Sequence, residues 1–475
     1  MRIAFLQREW FENIGIMTLA AGLNAAGHEV EVFVDNAESD IASAVNRFTP
    51  GLICFSCTTG EHLWALAAAR RLKKIKNIFT VFGGHHPTFF PQIINQPGVD
   101  AICRGEGEFA LKELVEALIS GESPAGIHNL WVKHDREITR NELRPLIQDL
   151  DSLPLPLRSV YDKYPRLQAN TTKHFMASRG CPCSCSYCYA HPLRELYRGK
   201  GPFVRYRSPG AIIREIRLTM QKYPLKTVFL DDDILTFNKP WLYEFLDLYR
   251  EEVCLPFICN VWAAWLDEAT CRRLAEAGCF RVSMGVETGD DHLRQKILKK
   301  NITNAQIIAA AENLHRYGIR VLTNNMIGLP GETIDQALET MRLNTRIRTD
   351  YPWCSILQPY PGTPIADTAR AAGLLTTDTE QLFASTFFKT SILQQKNMPK
   401  LVRLHKFFFL GVKFPFLIPI IKFLIKLPLN PLYDLIFLST FALRYRRANR
   451  LSWPGMIHFG CRNIRLYLKS LKINK

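Results

Sequence analysis

No stretch of this 475-residue chain strings together the roughly 18 uncharged apolar residues that a membrane-spanning helix requires. The opening MRIAFLQREW has no basic-then-apolar segment of the secretory kind before its first charged residues. A cytoplasmic protein is therefore expected, peripheral on the cytoplasmic membrane at most. Internal repeats and low-complexity tracts are also missing. The 13 cysteines are an odd number outside a secretory context, which argues against a disulfide scaffold and for thiols with a metal or catalytic role. Acidic residues are scarce at one end. Residues 401–475 hold 14 Lys and Arg but a single acid, Asp434. Of the net charge of +16, that tail carries +13 and the rest of the chain only +3.

What is present is enough for two or three domains. At 54.4 kDa and 47% apolar residues the chain is too long for one ordinary domain and too apolar for a disordered one. From residue 1 to about 120, Ile3–Leu6, Val30–Val34, Leu52–Ser56, Phe79–Phe82 and Ala101–Cys103 read as strands alternating with helical patterns near 16–26, 40–47, 61–74 and 107–119. Such alternation predicts crossover helices on a doubly wound parallel sheet. A hairpin is expected over 128–142, and the Pro-rich stretch 151–159 reads as a linker. A second series follows, with strands at Phe175–Ser178, Val228–Asp231, Phe257–Val261, Arg281–Met284, Val321–Asn325 and Ser355–Leu357. Helical patterns near 209–223, 239–249, 267–277, 303–317 and 333–346 separate them. Six such units predict a partial (β/α)6 barrel of TIM type, with its chemistry at the strand C-termini. The expected fold is α/β throughout, with domains at 1–145 and 169–375, a linker at 146–168 and a helical, apolar and basic region at 376–475.

The most informative segment is SRGCPCSCSYCYA, residues 178–190, which holds Cys181-x3-Cys185-x2-Cys188 with an aromatic, Tyr187, before the last cysteine. Three thiolates on a short loop can each hold one iron of a [4Fe–4S] cube, leaving the fourth iron open to chelate a substrate or cofactor. A zinc knot is the alternative. It would take a fourth ligand from Cys183 or His191, and Cys183 keeps the ligand register open.

This loop, following the first strand of a six-unit series, resembles the signature of the radical S-adenosylmethionine (SAM) enzymes. The similarity continues in order through FLDDDILTFN (229–238), SMGVETG (283–289), NNMIGLPGET (324–333) and QPYPGTPIADTA (358–369), with RYRSPGAIIREI (205–216) leading into a helix. The resemblance implies a cluster on Cys181, Cys185 and Cys188, with SAM held at polar groups such as Asp231, Asp232 and Glu287. Taken singly, Asp231, Asp232 and Asp233 are also consistent with an acidic helix cap, Glu287 with a surface ion pair, and Gly328–Gly331 with a tight turn.

Upstream, GHEVEVF (27–33), SCTTG (56–60), GGHHPTFFP (83–91) and CRGEGEFAL (103–111) resemble the cobalamin-binding domains that many radical SAM proteins carry. The residues implicated are Ser56, Thr58, Gly83, Gly84, His85, Gly105 and Glu106, beyond the carboxyl ends of the strands where open α/β sheets bind ligands. No DxHxxG pattern occurs, and His86 is preceded by Gly84. The corrin would therefore lack a histidine ligand from that motif. A degenerate domain that binds nothing is the alternative. The Cys54–Cys57 pair reads as core and loop-edge thiols, since positions three apart on a strand face opposite ways.

Between Lys406 and Arg447 the tail consists of short apolar runs broken by Lys413, Lys422, Lys426 and four prolines. Segments of this kind suit the membrane interface, and the cluster Arg444, Arg446, Arg447 and Arg450 suits anionic lipid. A helical cap over the barrel mouth is equally compatible. Nucleic acid is not expected, because the tail is helical in pattern and too apolar for base-stacking platforms on a sheet or groove. The resemblance implies a cobalamin-dependent radical SAM methyltransferase that uses a [4Fe–4S] cluster, SAM and cobalamin and takes electrons from a flavodoxin or ferredoxin. It would methylate an unactivated carbon of a hydrophobic substrate, a hopanoid or other lipid. A tetrapyrrole oxidative cyclase and a radical SAM enzyme with a vestigial cobalamin domain are the rival assignments.

Overall fold

The computed structural model describes residues 1–134, 137–375, 388 and 390–448. Its first sheet contains β1 (Arg2–Gln7), β2 (Glu29–Val34), β3 (Leu52–Ser56), β4 (Phe79–Gly83), β5 (Ala101–Cys103), β6 (Leu130–His134) and β7 (Glu137–Arg140). The order is β2-β1-β3-β4-β5-β6-β7, parallel through β5, with an antiparallel hairpin at the end. Both faces are covered. Ile3, Phe5 and Cys54 enter one core, while Ala4, Leu6, Phe55 and Cys57 enter the other. The two thiols of the Cys54–Cys57 pair therefore face opposite ways, as their spacing predicts. The strand order turns back between β1 and β3, the place where doubly wound sheets bind ligands.

The second sheet is a six-stranded open barrel, all parallel, in the order β8 (Thr172–Phe175), β11 (Thr227–Leu230), β12 (Phe257–Val261), β13 (Cys279–Glu287), β14 (Arg320–Ile327) and β15 (Tyr351–Ile356). A short antiparallel pair, β9 (Ser178–Arg179) and β10 (Arg205–Tyr206), flanks the cysteine loop. Each crossover helix begins where the sequence supplies a cap. Ser208, Asn238, Asp267, Thr303 and Thr333 accept the first free amides of the helices at 209–222, 239–252, 268–276, 304–316 and 334–346. In β11 the helix-facing Val228 and Leu230 are fully buried and the alternate Thr227 and Phe229 only half so. β8 and β15 show the same alternation. The lumen is thus not packed shut by its own side chains.

Two strands depart from the sequence expectation, each for a physical reason. The first barrel strand is Thr172–Phe175 and not Phe175–Ser178, because it contains a lysine that is entirely buried. Lys173 is 0% exposed and bonds Glu12 at 2.6 Å. The sixth begins at Tyr351 and not Ser355. Pro352 is tolerated there because β15 is the sheet edge, where a missing amide breaks no ladder.

Buried charge also joins the two units. Arg158, in the Pro-rich connection, reaches Glu12 of the first unit at 3.4 Å and Glu215 of the helix Pro209–Lys222 at 3.3 Å, and donates to the His174 carbonyl of β8 at 2.6 Å. Arg207 completes the network on Glu215.

The tail forms helices at Met398–Lys413, Ile418–Leu424 and Asn430–Ala448. The first does not cross the barrel mouth. Met398 touches Gly328 at the top, and Lys413 Nζ donates to the Thr349 carbonyl at the base, so the helix runs down the outside. It buries Leu401, Leu404 and Phe408 against Met341 and Cys354. A cap over the mouth is therefore not what these helices provide. The side chains of Arg444 and Arg447, and all of Arg450, lie outside the described residues.

Candidate functional site

The cysteine loop leaves β9 through Gly180, whose φ is +89° and where a Cβ would lie 2.3 Å from the Phe203 carbonyl. Only glycine fits that turn. Asp232, fully buried at the end of β11, fixes the root of the loop by accepting from the Ala177 amide at 3.1 Å and from Ser178 Oγ at 2.5 Å. Desolvation pushes its carboxyl up to about 6, against the lowering effect of those hydrogen bonds. Further along, Arg194 donates to the Pro182 carbonyl and to Ser184 Oγ. Ser186 is held by the Leu298 and Ile297 carbonyls. The loop is therefore pinned on three sides.

Cys181 and Cys185 are buried and Cys188 half-buried. Hydrogen bonding to Cys183, then burial, pushes the Cys181 thiol far up. Burial pushes Cys185 up to about 12 and Cys188 to about 11. Cys188 interacts electrostatically with both of the others. Among the described residues no three His, Cys, Asp or Glu side chains converge as on a single ion. A cube does not need such convergence, because each thiolate takes a different iron. A soft, all-thiolate donor set on a backbone-pinned loop suits a [4Fe–4S] cluster.

Beside the loop, β13 ends at Glu287, a non-glycine residue with φ of +68° at an irregularity in its pairing with β14. Its carboxylate pairs with Lys300 Nζ at 3.0 Å, and the two side chains are 9% and 5% exposed. Lys300 also lies 4.6 Å from the Trp262 ring centroid. Gly285 makes room for the pair, since a Cβ there would meet Glu287 Oε1 at 2.3 Å and Lys300 Nζ at 2.5 Å. The Glu287 charge is felt at Tyr187 and the Lys300 charge at Cys185. Glu287 is thus in an ion pair, but a buried one next to the cysteines.

The other acidic positions separate. Asp231 Oδ2 bonds His174 Nδ1 at 2.6 Å on the half-exposed side of β8 and β11. Asp233 lies on the rim, its carboxyl raised by desolvation and its charge felt at Cys181 and Cys188.

The implicated residues of the first unit also fall into two groups. Ser56, Thr58, Gly83, Gly84 and His85 lie at the ends of β3 and β4. Thr58 and His85 are exposed there, and a Cβ on Gly83 would meet nothing closer than 3.9 Å. That opening can take a flat ligand. Gly84 differs: its φ of +99° and a Cβ only 2.8 Å from the Cys57 carbonyl make it a packing glycine. His86 is committed to the protein, bonded to Thr59 at 3.1 Å and stacked on His62 at 3.8 Å, and burial lowers its imidazole to about 3. Gly105 and Glu106 face elsewhere. A Cβ on Gly105 would strike the Tyr197 hydroxyl. Glu106 Oε1 accepts from Arg179 at 3.0 Å and Arg205 at 2.8 Å, and Glu108 takes the other arm of Arg179 at 2.6 Å. These acids clamp the first unit to the strand that leads into the cysteine loop.

Glu106→Ala should therefore unpair Arg179 and Arg205 and raise amide exchange over residues 176–189 by roughly tenfold or more, as measured by hydrogen-exchange mass spectrometry. Unchanged exchange would show that the clamp does not hold the loop.

Sequence patterning missed three residues that complete the site. Tyr189, immediately after Cys188, stacks on Phe89 of the first unit at 4.5 Å and on Tyr360, beyond β15, at 5.6 Å. Lys300, in a basic run with Lys296 and Lys299, and Arg179 carry no periodic signal. The adjacency of Tyr189 and Arg179 to the cysteine motif is the only hint the sequence offers.

The GLPGET turn carries a buried acid. Glu332 Oε2 accepts from the amides of Gly328 at 2.6 Å and Leu329 at 3.2 Å, while Oε1 is buried with no hydrogen-bond partner among the described residues. Burial raises its carboxyl to about 8. Because the folded value lies above the unfolded one, the native state holds the proton more tightly. The resulting stability is full below about pH 4.5 and is lost as pH rises through about 8. Glu332→Gln should flatten this loss, so that the variant gains on the wild type by at least about 2–4 °C in Tm between pH 5 and pH 8.5. Parallel pH profiles would refute it.

With the geometry in place, comparison with known proteins is informative. The Radical SAM superfamily profile matches residues 176–343, and the B12 binding domain profile matches residues 9–115. An uncharacterized methyltransferase of Pyrococcus horikoshii is 32% identical over 362 residues, covering 74% of this chain and 77% of that protein. The anaerobic magnesium-protoporphyrin IX monomethyl ester cyclase of Rubrivivax gelatinosus is 25% identical over 362 residues, 72% of this chain and 63% of its own length. Among solved structures, the radical S-adenosylmethionine methyltransferase TsrM from Kitasatospora setae, with cobalamin and a [4Fe–4S] cluster bound, aligns with a TM-score of 0.65 at 17% identity, covering 79% of each chain. At that identity the likeness is one of fold.

Proposed function

The chain belongs to the radical SAM superfamily, among members with a B12-binding domain, and from that premise we propose that it methylates an unactivated carbon of a hydrophobic substrate, a hopanoid or another lipid. One observation carries the reading. Tyr189, next to the last cysteine, stacks on Phe89 of the B12-binding unit, which brings the cysteine loop against the carboxyl ends of the first unit's strands. When bound, the cluster with SAM supplies hydrogen-atom abstraction, and cobalamin supplies a transferable methyl group.

The protein's own contribution is to hold and shield. Cys181, Cys185 and Cys188 would be the cluster ligands. Glu287 and Lys300 offer a charge of each sign to the amino-acid end of SAM. Ser56, Thr58, Gly83 and His85 would present polar groups and open backbone to the corrin, and the chain has no DxHxxG motif to supply a histidine ligand. The half-open lumen bounded by His174 and Phe229 leaves space for substrate. Phe89, Tyr189 and Tyr360 keep water out from the first-unit side. A flavodoxin- or ferredoxin-type reductant and peripheral contact with the cytoplasmic membrane through the C-terminal region belong to the same reading.

Similarity to the Rubrivivax enzyme supports a second reading, oxidative ring closure on a tetrapyrrole, which transfers no methyl group. Lipid profiling of a deletion strain against its complemented counterpart separates them. Loss of one methylated lipid is expected. An unchanged lipid profile with altered tetrapyrroles would favour the cyclase. Failure of the full-length protein to retain cobalamin would remove the methyl-transfer reading.

A further inference from the structure

Nine of the seventeen large hydrophobic side chains exposed among the described residues fall within residues 414–443. The helices at 418–424 and 430–448 already spend one face on the barrel: Ile418, Ile421, Tyr433 and Phe437 are buried. Their outward faces ought then to be polar. Instead they show Phe423 at 60% exposure, Leu435 at 62% and Leu438 at 61%, with Phe416 at 72% in the turn that precedes them. Leu432, Leu435 and Leu438 recur every three residues, so they share one side of their helix. Helices that are apolar all round belong inside a protein or in lipid, and no helix among the described residues is long and apolar enough to cross a membrane.

The charge pattern selects the occupant. Lys426 is exposed among these side chains, as is Lys422, which is ion-paired with Asp335 at 2.7 Å, and residues 401–475 carry 14 basic residues against one acid. A second copy docked on this face would bring another strongly cationic tail against the first. Residues 449–475 are themselves basic and contain no acid, so folding them over the face would also set like charges together. An anionic bilayer surface meets both requirements, apolar depth for the phenylalanines and leucines and negative headgroups for the lysines.

We propose that the outer face of the helices Ile418–Leu424 and Asn430–Ala448, with Phe414 and Phe416 leading into it, is a docking surface for anionic lipid bilayers that lies in the interface without spanning it. The proposal rests on the membrane contact in the reading above and specifies its residues and lipid chemistry. It predicts adsorption whether or not the substrate is a lipid.

The test is co-sedimentation of the full-length protein, without SAM or substrate, with vesicles of equimolar phosphatidylcholine and phosphatidylglycerol. Binding is expected, at least about tenfold weaker on pure phosphatidylcholine and weakened by salt. The double variant Phe416→Ser, Phe423→Ser should keep the wild-type melting temperature, because both rings lie largely in solvent, yet bind at least about tenfold more weakly. Absence of wild-type binding, or equal binding by the variant, overturns the proposal. So does a dimer in analytical ultracentrifugation that this variant dissolves, since that would give the face to a second copy. Vesicle binding without any methylated lipid in the profiling experiment would leave this surface standing and remove the lipid-substrate reading alone.

Discussion

Cys181→Ala, reconstituted anaerobically with iron and sulfide, should lose its cluster and all SAM cleavage. The wild type should hold about four irons per chain, with the absorbance of a cubane cluster. Cys181 is the buried first thiol of the loop, pinned between Gly180, which no other residue can replace, and the Arg194 contact at Pro182. Cys183, which hydrogen-bonds it, is the neighbouring thiol that would compete for its place. Cys183→Ala is therefore the informative companion. If the ligands are Cys181, Cys185 and Cys188, that variant keeps its iron and its 5′-deoxyadenosine production. Loss of iron in Cys183→Ala with retention in Cys181→Ala would move the ligand register by two residues. Stoichiometric zinc in the wild type would end the radical reading altogether.

The second large effect concerns the Glu287–Lys300 pair. Lys300→Met leaves a carboxylate buried beside three thiols with its cation gone, and breaking a buried pair of this kind costs about 3–5 kcal/mol. Chemical denaturation under anaerobic conditions should register that loss. Adding Glu287→Gln in the same chain removes the stranded charge and should recover most of it. Strictly additive losses would mean that the two side chains are uncoupled, contrary to their 3.0 Å contact. Gly285→Ala should behave like the single variant, since its Cβ would enter the space both side chains occupy. SAM affinity reports separately. If the pair receives the amino-acid end of SAM, the double variant regains stability but not binding.

Much of this protein was legible without coordinates. The parallel sheets and the order of the crossover helices follow from apolar periodicity and from caps such as Thr303 and Thr333, which are local properties of the chain. The cysteine spacing likewise marks the cluster loop, and the concentration of positive charge in the tail is simple arithmetic. Local reasoning failed where a residue's environment is supplied from far away in sequence. The first barrel strand, expected at Phe175–Ser178, begins at Thr172 because the buried Lys173 finds its partner in Glu12, 161 residues upstream. Glu106, implicated in cofactor binding by resemblance, has its carboxylate taken by Arg179 and Arg205, which lie beyond the first unit in sequence. The tail helices looked equally suited to the barrel mouth and to a membrane until packing placed the first of them down the barrel's outer wall.

Sequence thus determined the sheets, the place of the cysteine loop after the first barrel strand and the sign of the tail's charge, because each depends on neighbours in the chain or on composition. Only the tertiary structure decided which acid meets which base, that Tyr189 bridges the two units, and which apolar side chains remain outside. Those outcomes depend on burial, and burial sets both the cost of an unpaired charge and the value of an apolar contact.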